Sequence, residues 1–402
     1  MISLHVRFTD RWEEDPFIVR VTSSDEVTEI PPDLEALLIS GADQAVHRNC
    51  RVSLLVDAED VPLERLRSDR IIRLPEKMRH LSPGDVIRIN PQAGEIWVMY
   101  RRQANSNSML LTEQCNSNCI MCSQPPKRGD DSFLARAYLE AIPLMALETP
   151  KIGITGGEPT LLGELLFEII RACRDHLPFT ALHMLSNGRL FNYLSLCRRI
   201  QEIGHPDLMI GIPLYSDIPH RHDFVVQAQG AFDQTLRGIM NLERCGQRVE
   251  VRVVLHRETV DRLPALAMFL ARNLPFVEHV ALMGLENMGY VRMNMEAIWI
   301  DPADYQSKLV EAVRILDQGH MNVSIYNHQL CLLRRELWPF ARKSISDWKN
   351  EYLEVCDHCA ARHQCGGFFS SARLRRSEQI RPLSENELTG GLDLPIPPFH
   401  NF

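Results

Sequence analysis

From Ser108 onward the chain alternates short apolar runs with longer amphipathic stretches. The runs are Met109–Thr112, Lys151–Thr155, Ala181–Leu185, Leu208–Leu214, Val249–Leu255 and Val277–Met283. Successive runs begin far enough apart for the crossover helix that parallel strands require. Between the second and third, Leu162, Leu165, Leu166, Ile169, Ile170 and Cys173 recur at the period of one helix face covering a sheet. Ala231–Arg244, with Gly246 as a stop, and Asp261–Arg272 read as further helices. Asp301-Pro302 opens another, to about Leu316, with an N-cap followed by proline. The pattern predicts an α/β fold of six β/α units closing partly on themselves.

Before residue 105 the rhythm differs. Short β-like runs occur at Ile2–Phe8, Phe17–Thr22, Val52–Val56, Asp85–Ile89 and Glu95–Tyr100. The last two are joined across Asn90-Pro91-Gln92-Ala93-Gly94, a hairpin signal. Asp33–Ser40 and Leu63–Ser68 read as short helices. A small α+β domain over residues 1–105 is expected, shielding one end of the barrel or handling a partner. The barrel is expected over 106–300 and a cysteine-bearing extension over 301–372. A mobile tail should follow over 373–402, opening Arg-Leu-Arg-Arg and ending in Gly-Gly and proline-rich sequence.

Composition narrows the class. A hydrophobic fraction of 45% and a charged fraction of 24% are those of an ordinary globular protein. The net charge of −8 gives no global basic field for nucleic acid or an anionic membrane. No apolar run approaches a spanning helix, and Met1–Asp10 lacks the build of a signal peptide. Eleven cysteines in such a chain point to a reducing compartment, the cytoplasm, and to metal instead of disulfides.

The cysteines carry the chemistry. Cys115, Cys119 and Cys122 form a Cys-x3-Cys-x2-Cys set at the exit of the first barrel run, flanked by Asn116, Ser117 and Asn118. Thiolates suit iron–sulfur clusters and zinc. A closed zinc site wants four ligands, and no fourth Cys or His stands within a few residues. Three thiolates on a four-iron cube would leave one iron open. Further on, Cys356-x2-Cys359-x5-Cys365 follows Cys331, four thiols that could close a zinc site or a fully ligated cluster. His358 and His363 in the same loop keep zinc open as an alternative. Cys173 falls on a helix core stripe, and Cys197 and Cys245 lie on predicted helices, so all three read as packed thiols. Cys50, His5 and His47 read as structural or surface residues.

Parallel β/α folds build their sites at the carboxyl ends of strands. After the second barrel run stands Thr155-Gly156-Gly157-Glu158-Pro159-Thr160, a tight turn allowing close backbone approach, with Glu158 as an anionic acceptor. The third run ends Leu185-Ser186-Asn187-Gly188, and the fourth ends Leu214-Tyr215-Ser216-Asp217. Arg252, His256, Glu286 and Asn287 lie at later strand ends, as ligand contacts or as solvated groups.

The cysteine triplet, followed by a barrel pattern, resembles the signature of the radical S-adenosylmethionine (SAM) superfamily. That likeness implies a radical SAM partial (β/α)6 barrel. It implies a [4Fe-4S] cluster on Cys115, Cys119 and Cys122, and SAM on the iron that lacks a protein ligand. In many relatives the residue before the last cysteine is aromatic and packs near adenine; here it is Met121. Gly156-Gly157-Glu158-Pro159 is similar to the family's SAM-binding turn. Ser186 and Asn187 match its third-strand motif, and Ser216 stands where the SAM ribose would lie. Cys356, Cys359 and Cys365 resemble the auxiliary-cluster extension called SPASM or twitch. Phe369 replaces that extension's fourth cysteine, so one auxiliary iron–sulfur cluster is implied, with Cys331 as its fourth ligand.

Within the superfamily, Leu110–Pro126 and the Gly-Gly-Glu-Pro-Thr turn are most similar to the His-Xaa-Ser system maturases. This implies reductive cleavage of SAM and radical modification of a ribosomal peptide bearing His-Xaa-Ser repeats. A companion radical maturase and an electron donor such as flavodoxin or ferredoxin would be partners. The alternatives are a radical SAM enzyme acting on a small molecule, or a thiolate-metal protein without radical chemistry.

Overall fold

The computed structural model describes residues 4–23, 26, 29–40, 49–56, 70–343 and 351–389. Two seven-stranded sheets organise it. The first takes β1 (His5–Arg7), β2 (Phe17–Thr22), β3 (Glu35–Ser40), β4 (Val52–Val56), β5 (Ile71–Arg73), β6 (Val86–Asn90) and β7 (Glu95–Tyr100), in the order β1-β7-β6-β2-β3-β4-β5. Strands β6 and β7 form the expected antiparallel hairpin, whereas β2 to β5 run parallel. Asp33–Ser40 is not a helix: a 3-10 turn, Pro32–Leu34, leads into β3. Its Leu37, Leu38 and Ile39 fit either period over so short a run, and pairing with a neighbour on each side decides for strand. The expected helix Leu63–Ser68 and His47 lie outside the described residues.

The second sheet is entirely parallel and sequential. It comprises β8 (Asn107–Leu110), β9 (Lys151–Thr155), β10 (Ala181–Leu185), β11 (Leu208–Pro213), β12 (Arg248–Leu255), β13 (His279–Gly284) and β14 (Val323–Tyr326). The curl is that of a partial barrel. A seventh strand, β14, extends the six expected β/α units. Around the sheet lie α1 (Phe133–Ala141), α2 (Glu164–His176), α3 (Leu194–Ile203), α4 (Pro219–Val226), α5 (Ala231–Arg244), α6 (Arg257–Val260), α7 (Leu263–Asn273), α8 (Val291–Ile298) and α9 (Gln306–Gln318). Leu166, Ile169, Ile170 and Cys173 of α2 are buried as their periodicity predicts, with Cys197 and Cys245 also in the core.

One hydrophobic core joins the barrel to part of the first sheet, since Ile18, Val86, Met99 and Tyr100 pack with the barrel residues. The Tyr100 hydroxyl lies 2.7 Å from Thr149 Oγ1. The first sheet keeps its own core around Val19, Val21, Leu54, Ile72 and Ile87. Among the described residues no helix is long and apolar enough to cross a membrane.

Candidate active site

The three-cysteine loop leaves β8 at the carboxyl edge of the barrel, and the Gly-Gly turn after β9 clamps it. Gly157 N donates to Thr112 O at 2.8 Å, and Glu158 N donates to Gln114 O at 2.7 Å. A Cβ on Gly156 would stand 2.4 Å from Thr112 O, and one on Gly157 would stand 2.1 Å from Gln114 O. What the glycines let come close is therefore the loop's own backbone.

The loop is anchored on its other side as well. Asn118 N donates to Val226 O and Ile120 N to Val225 O, both at 3.0 Å. Tyr290 N donates to Cys122 O at 2.9 Å, and Asn294 Nδ2 donates to Ile120 O at 2.7 Å. Met121 is buried in an apolar cluster with Tyr215, Val225, Val226, Val291 and Ile298.

Glu158 is wholly buried, at 0% exposure, and centres a network. Its Oε1 accepts from Thr160 N (3.1 Å), Thr160 Oγ1 (2.5 Å) and Ser186 Oγ (2.8 Å). Its Oε2 accepts from Asn187 N at 2.6 Å. Burial raises its pKa, and these donors only partly offset that rise. Asn187 carries the network on to the cysteines, since its Nδ2 donates to Asn116 Oδ1 at 2.6 Å and lies 3.9 Å from Cys115 Sγ. Arg189 also bonds Asn116 O and Ser117 Oγ. Ser216 is buried, and its hydroxyl accepts from Ile218 N at 3.1 Å. Asp217 beside it is held below the usual carboxylate range by Arg262, whose guanidinium it pairs with at 2.5 and 2.8 Å.

Burial raises all three loop thiols, Cys119 to about 12, and Cys119 is raised further by the charges of Cys122 and Cys115. Such neighbours lose their protons readily only to a cation that binds them. Among the described residues no three His, Cys, Asp or Glu side chains gather closely enough to hold one metal ion. Thiolates on a polynuclear cluster each meet a different metal atom, so they stand wider apart than ligands sharing one zinc at about 2.3 Å. Three thiols on one loop, with no fourth thiol beside them, are a donor set that suits such a cluster.

The downstream cysteines meet as well. Cys331, Cys356, Cys359 and Cys365 all line one cavity. His358 and His363 are exposed and are not among the described residues that line it. Main-chain N–H groups point at the sulfurs, Leu383 to Cys359 at 3.3 Å and Gly367 to Cys365 at 3.5 Å, and the Arg381 main chain bonds Cys331. Such bonds stabilise thiolate ligands. Residues 380–383, part of the stretch expected to be a mobile tail, form a wall of this cavity, and Leu383 is buried. Residues 390–402 lie outside the described residues.

Of the later strand-end residues, Arg252 donates to Glu250 Oε1 at 2.7 Å inside the barrel. Sequence reasoning missed that inner network. Burial alone would raise Glu250, but bonds from His183 and His279 and the charge of Arg252 hold it well below the carboxylate range. Alternation along β10, β12 and β13 was the signal that could have placed these groups on one face.

Residues 109–270 match the family model of the radical SAM superfamily. The chain is similar to a probable GTP 3′,8-cyclase of Sulfurisphaera tokodaii, 21% identical over 229 residues, which are 56% of this chain and 68% of that protein. It is similar to the Fe-coproporphyrin III synthase of Methanosarcina barkeri, 26% identical over 39% of this chain and 38% of the synthase. Among solved structures, SuiB of Streptococcus suis bound to S-adenosylmethionine superposes with a TM-score of 0.45 at 14% identity, over 56% of this chain and 51% of SuiB. The chain thus spans about half the length of SuiB and less of the synthase.

Proposed function

We propose that this chain, a radical SAM protein over residues 109–270, is a peptide maturase with one auxiliary iron–sulfur cluster. The observation that carries the reading is the contrast between its two thiol sets. Cys115, Cys119 and Cys122 stand on a clamped strand-end loop with no fourth thiol. Cys331, Cys356, Cys359 and Cys365 surround one cavity. In this reading the first set holds the [4Fe-4S] cluster that binds SAM, and the second closes an auxiliary cluster.

A [4Fe-4S] cluster held by Cys115, Cys119 and Cys122 would supply the electron for reductive cleavage of SAM, and with it the radical chemistry of the reaction. The chain's own residues place and shield these groups. Glu158, Ser186 and Asn187 fix the loop that carries Cys115. Because the side chains of Glu158, Ser186 and Ser216 and the N–H groups of Gly157 and Glu158 are already engaged, SAM contacts from the Gly156–Gly157 turn would come mainly from main-chain carbonyls. Met121 and Tyr215 pack behind the loop and keep water from it.

The peptide substrate, of the His-Xaa-Ser repeat type, rests on the likeness of Leu110–Pro126 to those maturases. A companion maturase and a flavodoxin- or ferredoxin-like donor belong to the same reading. Co-expression with a His-Xaa-Ser repeat peptide, followed by mass spectrometry, tests it. A mass change that needs Cys115 supports the reading, and an unaltered peptide beside active SAM cleavage refutes it. A small-molecule substrate is the second reading, favoured by the names of the curated relatives, a GTP cyclase and a porphyrin synthase.

A further inference from the structure

A second cavity, open to solvent, lies between the carboxyl ends of β12 to β14 and the segment 366–377. It adjoins the loop 285–290 that holds Cys122 from behind. Its polar groups share one orientation. Asn287 is 5% exposed, and its Nδ2 donates to Arg375 O at 2.7 Å. That bond fixes the amide so that Oδ1 is the remaining group, and Oδ1 has no partner. A buried carbonyl oxygen left unpaired is costly, so a donor brought to this oxygen, by a ligand or by a water, would be favoured. Gln329 is turned the same way, with Nε2 donating to Gly367 O at 2.8 Å.

The charges are one-sided. Among the described residues lining the cavity there is no Asp or Glu, while Arg375 and Arg376 are both present. Arg375 is committed, paired with Glu296 at 2.7 Å and lying 4.2 Å from the Trp299 ring centre. Arg376 is exposed at the rim. Trp299, Phe368 and Leu285 supply apolar walls.

We infer that this cleft binds an extended peptide segment that presents a main-chain N–H to Asn287 Oδ1 and a carboxylate to Arg376. A nucleoside triphosphate also offers donors and negative charge. Its several charges would meet one uncommitted arginine, so a singly charged peptide group is the better match. The inference rests on the peptide reading above and adds where and by what chemistry the peptide docks.

Calorimetric titration of the full, anaerobically loaded protein tests it with two acetylated, amidated peptides. Each carries three His-Gly-Ser repeats, and they end in Asp or in Asn. The Asp peptide should bind the native protein roughly two- to fivefold more tightly than the Asn peptide, the size of a rim charge pair. Arg376→Ala should erase that difference, and as an exposed substitution it leaves the fold intact. Asn287→Leu should weaken both peptides. Equal binding of the two peptides, a difference that survives Arg376→Ala, or no binding of either peptide overturns the inference. So does GTP binding that Arg376→Ala abolishes while the peptides stay unbound. SAM cleavage measured in the same preparations reports separately on the proposed function, which fails only if cleavage or peptide modification is absent.

Discussion

Replacing Glu158 by Gln separates two roles that its position allows. The carboxylate is buried at 0% exposure and accepts four hydrogen bonds, three at Oε1 and one at Oε2. Glutamine has the same shape but accepts at one oxygen only. With its oxygen at the Thr160 and Ser186 side, its NH2 faces the Asn187 N–H. Turned over, it faces the Thr160 N–H and two hydroxyls. Either way a buried donor is stranded and a charge-assisted bond is lost, together about 2–4 kcal/mol. The variant also removes a buried charge whose desolvation raises the pKa, so the lower figure, about 2 kcal/mol, is expected. For a domain of this size that lowers Tm by roughly 4–8 °C. The consequence should reach the cysteines, because Asn187 links Glu158 to Asn116 and Cys115. The assay is thermal unfolding followed by circular dichroism, with iron content on the same anaerobic preparations. Lowered Tm together with lost iron is expected. Unchanged Tm and iron with a raised KM for SAM would refute this reasoning and make Glu158 a direct SAM contact.

Gly157→Ala should abolish soluble, iron-loaded protein, since its Cβ would sit 2.1 Å from a main-chain oxygen. Gly230→Ala, at a left-handed glycine with nothing within 4 Å of its Cβ, should cost only about 1–2 kcal/mol. Equal outcomes for the two would contradict the clamp. Burial holds His222 and His328 down to about 4 and His256 to about 3. The folded state resists protonating them, so their contribution is complete above pH 6.5 and is lost as pH falls from 6.5 toward 4. Each adds a slope of up to about 1.4 kcal/mol per pH unit. His328→Gln should flatten the stability profile in that window, and an unaltered slope would count against it. Ending the chain after Gln379 removes Arg381 and Leu383 from the four-cysteine cavity and should reduce bound iron from about eight to about four atoms per chain. Full iron retention would show that this wall is dispensable.

The barrel was legible because its apolar runs are long and regularly spaced. Lys151–Thr155 and Ala181–Leu185 coincide with β9 and β10, and the other four runs fall within two residues of their strands. The cysteine spacings pointed to two metal sites for a chemical reason, since few other uses gather so many thiols. Other features were hidden because they depend on tertiary pairing. Glu35–Ser40 is a strand only because β2 and β4 flank it. Val323–Tyr326 is too short a run to announce a seventh strand. Glu158 read as a ligand contact because Ser186 and Asn187 lie nearly thirty positions away, and only the adjacent β9 and β10 bring them to it. Likewise, nothing local marks Leu383 as a partner of Cys359.

The central claim is that three thiols serve SAM chemistry while four others close a separate site. The most direct measurement is 5′-deoxyadenosine formation by the reduced, anaerobic protein given SAM, with iron counted in the same samples. The native chain should form it. The Cys115→Ala, Cys119→Ala, Cys122→Ala triple variant should form none while keeping about four irons at the second site. Undiminished 5′-deoxyadenosine from the triple variant, or loss of all iron with it, would contradict the account.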